Sequence, residues 1–446
     1  MNEPNVNVAI MASKEIEFIL YGDFKSSDFP EVFNGNMKAK ISEGMVVLES
    51  DEKTFKPLPE IILSSIEPIS ESFLLKDVII GLQFHWEQKQ NQRFSGSLKF
   101  IVENDMLTVI NVVPVEQYLT SVISSEMSAT SSLELLKAHA IISRSWLLAQ
   151  IEKRVALEDQ EKYTSEFRTN DEIIKWYDRE DHILYDVCAD DHCQRYQGIT
   201  KTHAHNAEQA VNETSGFVLM YNDQICDARF SKSCGGITET FENVWEEVEH
   251  PYLQKLIDYK FEPDGYNTDL TNEENAVRWI TNSPLSFCNT SDEKILEQVL
   301  NNYDRETTDF YRWQVEYSQN EIAELLKTKT AIDFGEIIDL IPIMRGHSGR
   351  LIKLKIVGSK KTIIIGKELE IRKILSQSHL YSSAFVVEKK EIIDNIPQKF
   401  ILHGAGWGHG VGLCQIGAAV MGEKGYNFDE ILLHYFKGAN IKKIYN

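Results

Sequence analysis

Val112-Val113-Pro114-Val115-Glu116-Gln117-Tyr118-Leu119, followed by Ser124-Ser125-Glu126-Met127, marks the point where the chain stops reading as strand and starts reading as helix. On its N-terminal side the pattern is β-like. Val6 to Ile10 alternates apolar and polar residues, as a half-buried strand does. Met45 to Leu48, Leu98 to Val102 and Leu107 to Val113 follow, separated by turn-type residues. Pro114 has a fixed φ that suits a first helical position. A short helix is therefore expected from about Val115 to Ile123, with Ser124 to Met127 as a loop. Ser131-x-x-Glu134 has the spacing of a capping box and predicts a second helix, from Ser132 to about Lys153. That helix is apolar almost all round (Leu135, Leu136, Ile141, Ile142, Trp146, Leu147, Leu148), which predicts burial.

Beyond it, residues 155–182 are highly charged and read as an exposed insertion. Residues 300–390 carry their own α+β pattern. It comprises a strand from Tyr311 to Ser318, a helix from Glu321 to Lys327 capped by Ser318-x-x-Glu321, further strands, and a helix from Lys367 to Leu375. The C-terminal part is Gly-rich, then helical, with Asn427-x-x-Glu430 capping the last helix. The expected fold class is α+β, of mixed architecture. It has a β-rich N-terminal region (1–110) and a helical core (111–260) with an inserted segment at about 155–205. A small second α+β subdomain (300–390) follows, and the Gly-rich loop and last helices (391–446) complete the core.

The formal charge of −22 argues against a protein whose main work is gripping nucleic acid or an anionic membrane. No run of 18 apolar residues is present, so no transmembrane helix is expected. Residues 1–8 lack a basic stretch followed by an apolar core, so no signal peptide is expected in this sequence. The six cysteines, an even number, give a weak hint of disulfides.

Several residues stand out for chemistry. Glu126 lies just before a buried helix, where a carboxyl against apolar surface suits a general acid. Position alone favours the simpler alternative, an acid that benefits from the dipole of a helix N-terminus. Lys137 and Arg144, seven residues apart, project from one face of an otherwise apolar helix. They either meet an anionic or hydroxyl-rich substrate or form salt bridges. His182-x5-Cys188-x3-His192-Cys193 offers two imidazoles and two thiols, the tetrahedral N/S set that zinc prefers. A Cys188–Cys193 disulfide, free thiols, or a site using His203 or His205 are the alternatives. In Ser233-Cys234-Gly235-Gly236 the glycines suit a tight turn or close backbone approach to a ligand. Cys234 serves there as a nucleophile, or more simply in a turn or a disulfide with Cys226 or Cys288. In His403-Gly404-Ala405-Gly406-Trp407-Gly408-His409-Gly410-Val411-Gly412, nucleotide-binding spacings are absent. His409 and Trp407 read instead as a site wall, an imidazole for hydrogen bonding and an indole face for a sugar ring. A tight packing loop with a satisfied histidine is the alternative.

Taken in order, these stretches, with Leu135-Leu136-Lys137-Ala138-His139-Ala140, Ile142-Ser143-Arg144-Ser145-Trp146 and Ser233-Cys234-Gly235-Gly236-Ile237-Thr238-Glu239, resemble the SpoIID/LytB family of sporulation and cell-wall proteins. The resemblance runs from about residue 75 to the C-terminus. It implies action on peptidoglycan glycan strands, either as a lytic transglycosylase or as an enhancer of a cell-wall amidase, which would then be a partner. It puts the catalytic role on Glu126 and substrate binding on Lys137, Arg144, Trp407 and His409, to which we add Ser233, Gly235 and Gln415. It implies structural zinc on His182, Cys188, His192 and Cys193. A cell-envelope, periplasmic or extracellular location follows from it, with the cytoplasm as the alternative. A lytic transglycosylase uses one acid and internal attack by the muramyl 6-hydroxyl. The second carboxylate of ordinary glycosidases is then not needed.

Overall fold

The computed structural model describes residues 2–68, 70–81, 87–128, 130–157, 165–176, 182–190, 192–200, 205–299 and 308–446. Within it the chain forms two compact units. The first comprises Met1–Glu158, His182–Val218 and Lys442–Asn446, the second Asp159–Asp181 and Leu219–Ile441. His203, one of the alternative metal ligands, lies outside the described residues. No helix among the described residues is long and apolar enough to cross a membrane.

The first unit is built on a ten-stranded sheet, and the β-rich character expected of residues 1–110 is found there. Its main path runs 187–188, 5–13, 106–114, 97–103, 60–65, 15–26, 29–42, 45–50, with 72–80 and 88–94 branching from 15–26. Inward positions are aromatic: Phe18 packs on Phe100 at 5.2 Å between ring centroids, and Phe73 stacks on Phe94 at 5.4 Å. Helix α1 (Val115–Glu126) leaves the sheet directly at Pro114, and α2 (Leu133–Leu157) follows. Two boundaries differ from expectation. Helix α1 continues through Ser124 and Ser125 to Glu126, because the Ser124 hydroxyl bonds back to the Thr120 carbonyl at 2.7 Å, inside the helix. Helix α2 starts at Leu133, with Ser132 Oγ accepting from the Leu135 amide at 3.4 Å, one residue later than the expected cap.

The second unit contains a five-stranded sheet in the order 166–168, 172–175, 362–366, 351–358, 337–345. The charged insertion is thus not simply exposed. Its 172–175 strand pairs parallel with 362–366 and buries Ile173 and Ile174. The helix Gln319–Thr330 has the full capping box expected at Ser318 and Glu321, and the helix Phe428–Tyr435 has the one expected at Asn427 and Glu430. The helix Gln319–Thr330 and the sheets of this unit enclose a core that includes Ile322, Leu326, Leu354, Ile356, Ile365, Phe385 and Phe400. An antiparallel trio, 312–318, 396–405 and 385–393, ends at Ala405 and delivers the chain into the glycine-rich loop.

Candidate functional site

Glu126 closes α1 at its C-terminal end and is half-buried. At that end the α1 dipole gives a carboxylate no stabilisation, so its place does not serve the stability of α1. Its Oε1 accepts one backbone hydrogen bond, from the Arg195 amide at 3.0 Å. The segment bearing that amide lies along α1 and α2. Gln194 reaches the Ser143 carbonyl at 3.4 Å and accepts from the Tyr118 hydroxyl at 3.3 Å. The Gln197 amide donates to Ser121 Oγ at 3.2 Å, and Tyr196 stacks on Tyr118 with ring centroids 5.0 Å apart.

Two residues before Arg195 the chain forms the His/Cys cluster. His182, Cys188, His192 and Cys193 each present one ligand atom, all within 4.8 Å of one another. Cys193 Sγ lies 3.4 Å from His182 Nε2 and 3.5 Å from His192 Nδ1, and the Cys188 amide donates to Cys193 Sγ at 3.4 Å. Both thiols are free, so the disulfide alternative is not formed. The Cys193 sulfur, and after it the two imidazoles, hold the Cys188 thiol far below the ordinary thiol range. Two soft sulfurs and two imidazoles gathered in one place form a donor set able to hold a metal ion. The loop is anchored on the sheet by Val187–Cys188 pairing with Val8–Ala9, and by Asp186, which accepts from the Asn7 amide at 2.7 Å and pairs with Arg154 at 2.7 Å.

Lys137 and Arg144 both make ion pairs. The Arg144 side chain is 0% exposed, with Nε 2.9 Å from Glu116 Oε1, Nη2 2.5 Å from Oε2, and Nη1 donating to the Phe217 carbonyl at 3.0 Å. Glu116 Oε1 also accepts from the Gly216 amide at 3.0 Å and the Tyr445 hydroxyl at 2.6 Å. This guanidinium has no surface on which to meet a polymer, and the salt-bridge alternative describes it. Lys137 bonds Glu134 at 3.0 Å and Glu213 at 2.8 Å.

The other candidates belong to the second unit. Ser233 and Trp407 pair backbone to backbone, with N–H to O distances of 3.0 and 2.8 Å. Trp407 is half-buried in a stack, 4.1 Å from Tyr381 and 4.7 Å from Phe310 between centroids. The glycines bring the loop close to the chain's own groups. A Cβ on Gly410 would lie 2.4 Å from Arg350 Nη1, and one on Gly412 would lie 2.1 Å from the Arg229 carbonyl oxygen. Gly235 is likewise packed against the backbone of Ala405 and Gly406. His409 Nδ1 accepts from the Val411 amide at 3.0 Å, and the Phe230 backbone also bonds the ring. Burial, then the Arg229 and Arg350 guanidiniums, push the imidazole's affinity for a proton well below the usual range. The half-buried ring thus already has a partner within the loop, as the packing-loop alternative expects. Gln415 is buried at the start of the helix Gln415–Glu423. Cys234 and Cys414 are buried and their thiols are pushed well up by that burial, which is unsuited to a nucleophile.

Sequence reading missed two buried groups here. Glu239 accepts from the amides of His347 and Ser348, both at 2.9 Å, and from Ser348 Oγ at 2.6 Å. Arg350 donates to the Cys234 carbonyl at 3.0 Å and the Gly408 carbonyl at 3.0 Å. The partners just named lie more than 50 residues away in sequence, although Glu239 also accepts from Asn243 and Arg350 also donates to Ser348 Oγ.

A family model described as stage II sporulation protein matches residues 103–221, and one described as a domain of unknown function (DUF8618) matches 239–412. Glu126, Lys137, Arg144 and the His/Cys cluster fall within the first match, Trp407 and His409 within the second. The chain is 27% identical over 348 residues to an uncharacterized protein of Brachyspira hyodysenteriae, covering 78% of this chain and 72% of the other. It is 24% identical over 338 residues to the amidase enhancer of Bacillus subtilis, covering 72% of this chain and 40% of the enhancer. It is 24% identical over 340 residues to stage II sporulation protein D of B. subtilis, covering 74% and 75%.

Removing one partner from a buried ion pair leaves an uncompensated charge and costs about 3–5 kcal/mol. Glu116→Ala is therefore expected to lower the denaturant midpoint by a stability loss of that order. Glu213→Ala, at the more exposed Lys137 pair, should move the midpoint far less. Equal losses in the two variants would contradict this assignment.

Proposed function

We propose that this chain, whose residues 103–221 match the stage II sporulation protein family, remodels the bacterial cell wall as a peptidoglycan lytic transglycosylase, with Glu126 as its single acid/base. The observation that carries this reading is the position of Glu126. It is a half-buried carboxyl at the C-terminal end of α1, with one described hydrogen bond on Oε1.

In this mechanism Glu126 gives its proton to the glycosidic oxygen as the bond from that oxygen to the muramyl anomeric carbon breaks. The resulting carboxylate takes the proton of the muramyl 6-hydroxyl as its oxygen bonds to the same carbon. An anhydro-muramyl end and a free sugar hydroxyl result, and Glu126 is protonated again. No water is consumed, so no second carboxylate is needed. The Arg195 amide fixes Oε1 and leaves Oε2 for the proton transfers.

The metal in this reading is zinc, held by His182, Cys188, His192 and Cys193. Four protein ligands make a closed, structural site with no open position for water. Its contribution is to tie the loop that ends in Gln194 and Arg195, and thus to keep the Arg195 amide on Glu126. The substrate is the glycan strand, and the compartment is the cell envelope or outside it.

General acid–base catalysis contributes about 10²–10⁴-fold. Glu126→Gln is therefore expected to lower release of anhydro-muramyl products from peptide-free glycan by at least about 10²-fold. Undiminished release by this variant would sink the reading. The amidase enhancer relative supports a second reading, in which the chain binds glycan and stimulates a partner amidase without cutting. Wild type that stimulates an amidase but releases no product, with Glu126→Gln equally stimulating, selects it.

Loss of zinc is expected to loosen the Arg195 segment. Cys193→Ser should raise amide hydrogen exchange over 192–197 while exchange over the strands 15–26 and 29–42 stays as in wild type. Unchanged exchange at 192–197 would remove the metal from the positioning of Glu126.

A further inference from the structure

Three thiols outside the chemistry above meet in the interior of the second unit. Cys234 follows the backbone pairing of Ser233 with Trp407. Cys414 ends the short parallel pairing of Phe230–Ser231 with Leu413–Cys414 and caps the helix Gln415–Glu423. Cys288 comes from a third segment, and Asp258 from a fourth. All four side chains are buried, and their ligand atoms lie within 4.8 Å of one another.

The sulfur spacing suits a metal better than a disulfide. Cys234 Sγ and Cys288 Sγ are 3.7 Å apart. A disulfide needs about 2.05 Å. A tetrahedral ion with metal–sulfur bonds of about 2.3 Å separates two of its sulfurs by about 3.8 Å. A disulfide between these two would also leave Cys414 as an odd thiol beside it.

The surroundings are those of ligands already oriented. The Cys234 amide donates to Cys414 Sγ at 3.3 Å and the Gly236 amide to Cys234 Sγ at 3.4 Å. Amide donors aimed at these two sulfurs support thiolates. Asp258 Oδ1 accepts from the Tyr435 hydroxyl at 2.6 Å, and Oδ2 accepts from the Cys288 amide at 2.8 Å and Ser286 Oγ at 2.9 Å. A carboxylate has about four lone-pair positions, so one remains for a metal. Arg350 Nη1 donates to the Cys234 carbonyl at 3.0 Å and Arg312 Nη1 to the Gly235 carbonyl at 3.2 Å, bringing two positive groups to the same turn.

We propose that Cys234, Asp258, Cys288 and Cys414 form a second metal site, which binds a divalent, thiolate-preferring ion of the zinc class. Binding displaces the three thiol protons to solvent. Four protein ligands make the site closed and structural. Its effect is to lock together four segments that are distant in sequence: the Ser233–Gly236 turn, the chain at Asp258, the 286–288 segment and the head of the helix 415–423. The turn and helix head flank the glycine-rich loop. The proposal is independent of the reading of Glu126.

The test uses the full chain with Cys188→Ser/Cys193→Ser, which removes both thiols of the first cluster and changes no residue of the second unit. Purified in zinc and freed of excess ion, this variant is expected to retain one zinc per chain by plasma mass spectrometry. Zero zinc overturns the site. Adding Cys288→Ser is expected to abolish the retained zinc, and a full equivalent surviving that change overturns the ligand assignment. Should the triple variant fail to fold, cobalt(II) replaces zinc in the double variant. Strong near-ultraviolet sulfur-to-cobalt absorption is then expected, and its absence overturns the site. Thiol titration of the double variant in denaturant and chelator, without reductant, is expected to find the four remaining of six cysteines. Two thiols would mean a disulfide in place of the metal and would overturn the proposal.

Discussion

The buried pair of Glu116 and Arg144 is the constraint on which the first unit's site depends. One carboxylate at the start of α1 holds the guanidinium from the middle of α2, and also takes the Gly216 amide and the Tyr445 hydroxyl. Four separate pieces of chain therefore converge on a single group. Charges taken out of water are tolerated only when their hydrogen bonds are made, and here the carboxylate accepts four. With the start of α1 fixed in this way, the helix runs its 12 residues and its last turn sets where Glu126 stands.

The far end of α1 is held by different means. Tyr118 and Tyr196 stack, Gln194 and Gln197 bond to the helices, and the Arg195 amide reaches Glu126. The His/Cys cluster lies just upstream in the same segment, with Cys193 two residues before Arg195. In the second unit the glycine-rich loop is packed on the buried Arg350 and on the 229–235 backbone, and its close approaches are to the chain itself.

Much of this architecture was legible locally. The N-terminal strands followed from alternation, and the capping boxes at Ser318 and Asn427 stood where their spacing put them. The His182 to Cys193 cluster was visible because all its ligands lie within 12 residues. What escaped was long-range or masked by composition. Ser124 and Ser125 read as helix breakers, yet the Ser124 hydroxyl is satisfied inside the helix. The charges of 166–175 hid Ile173 and Ile174, which carry that strand into a sheet. Arg144 left a substrate cation and a salt bridge equally open, because its partner is 28 residues away. Cys234, Asp258, Cys288 and Cys414 have no common spacing at all, and only the tertiary fold brings them together.

The central claim is that Glu126 serves a cleavage in which the sugar's own hydroxyl, not water, attacks. Digestion of peptide-free glycan strands in water enriched in heavy oxygen, followed by mass spectrometry of the new muramyl ends, tests it most directly. The account predicts anhydro ends carrying no label from solvent, because the oxygen joining the anomeric carbon comes from within the sugar. Labelled reducing ends would mean hydrolysis, and intact strands would mean no cleavage. Either result contradicts the claim.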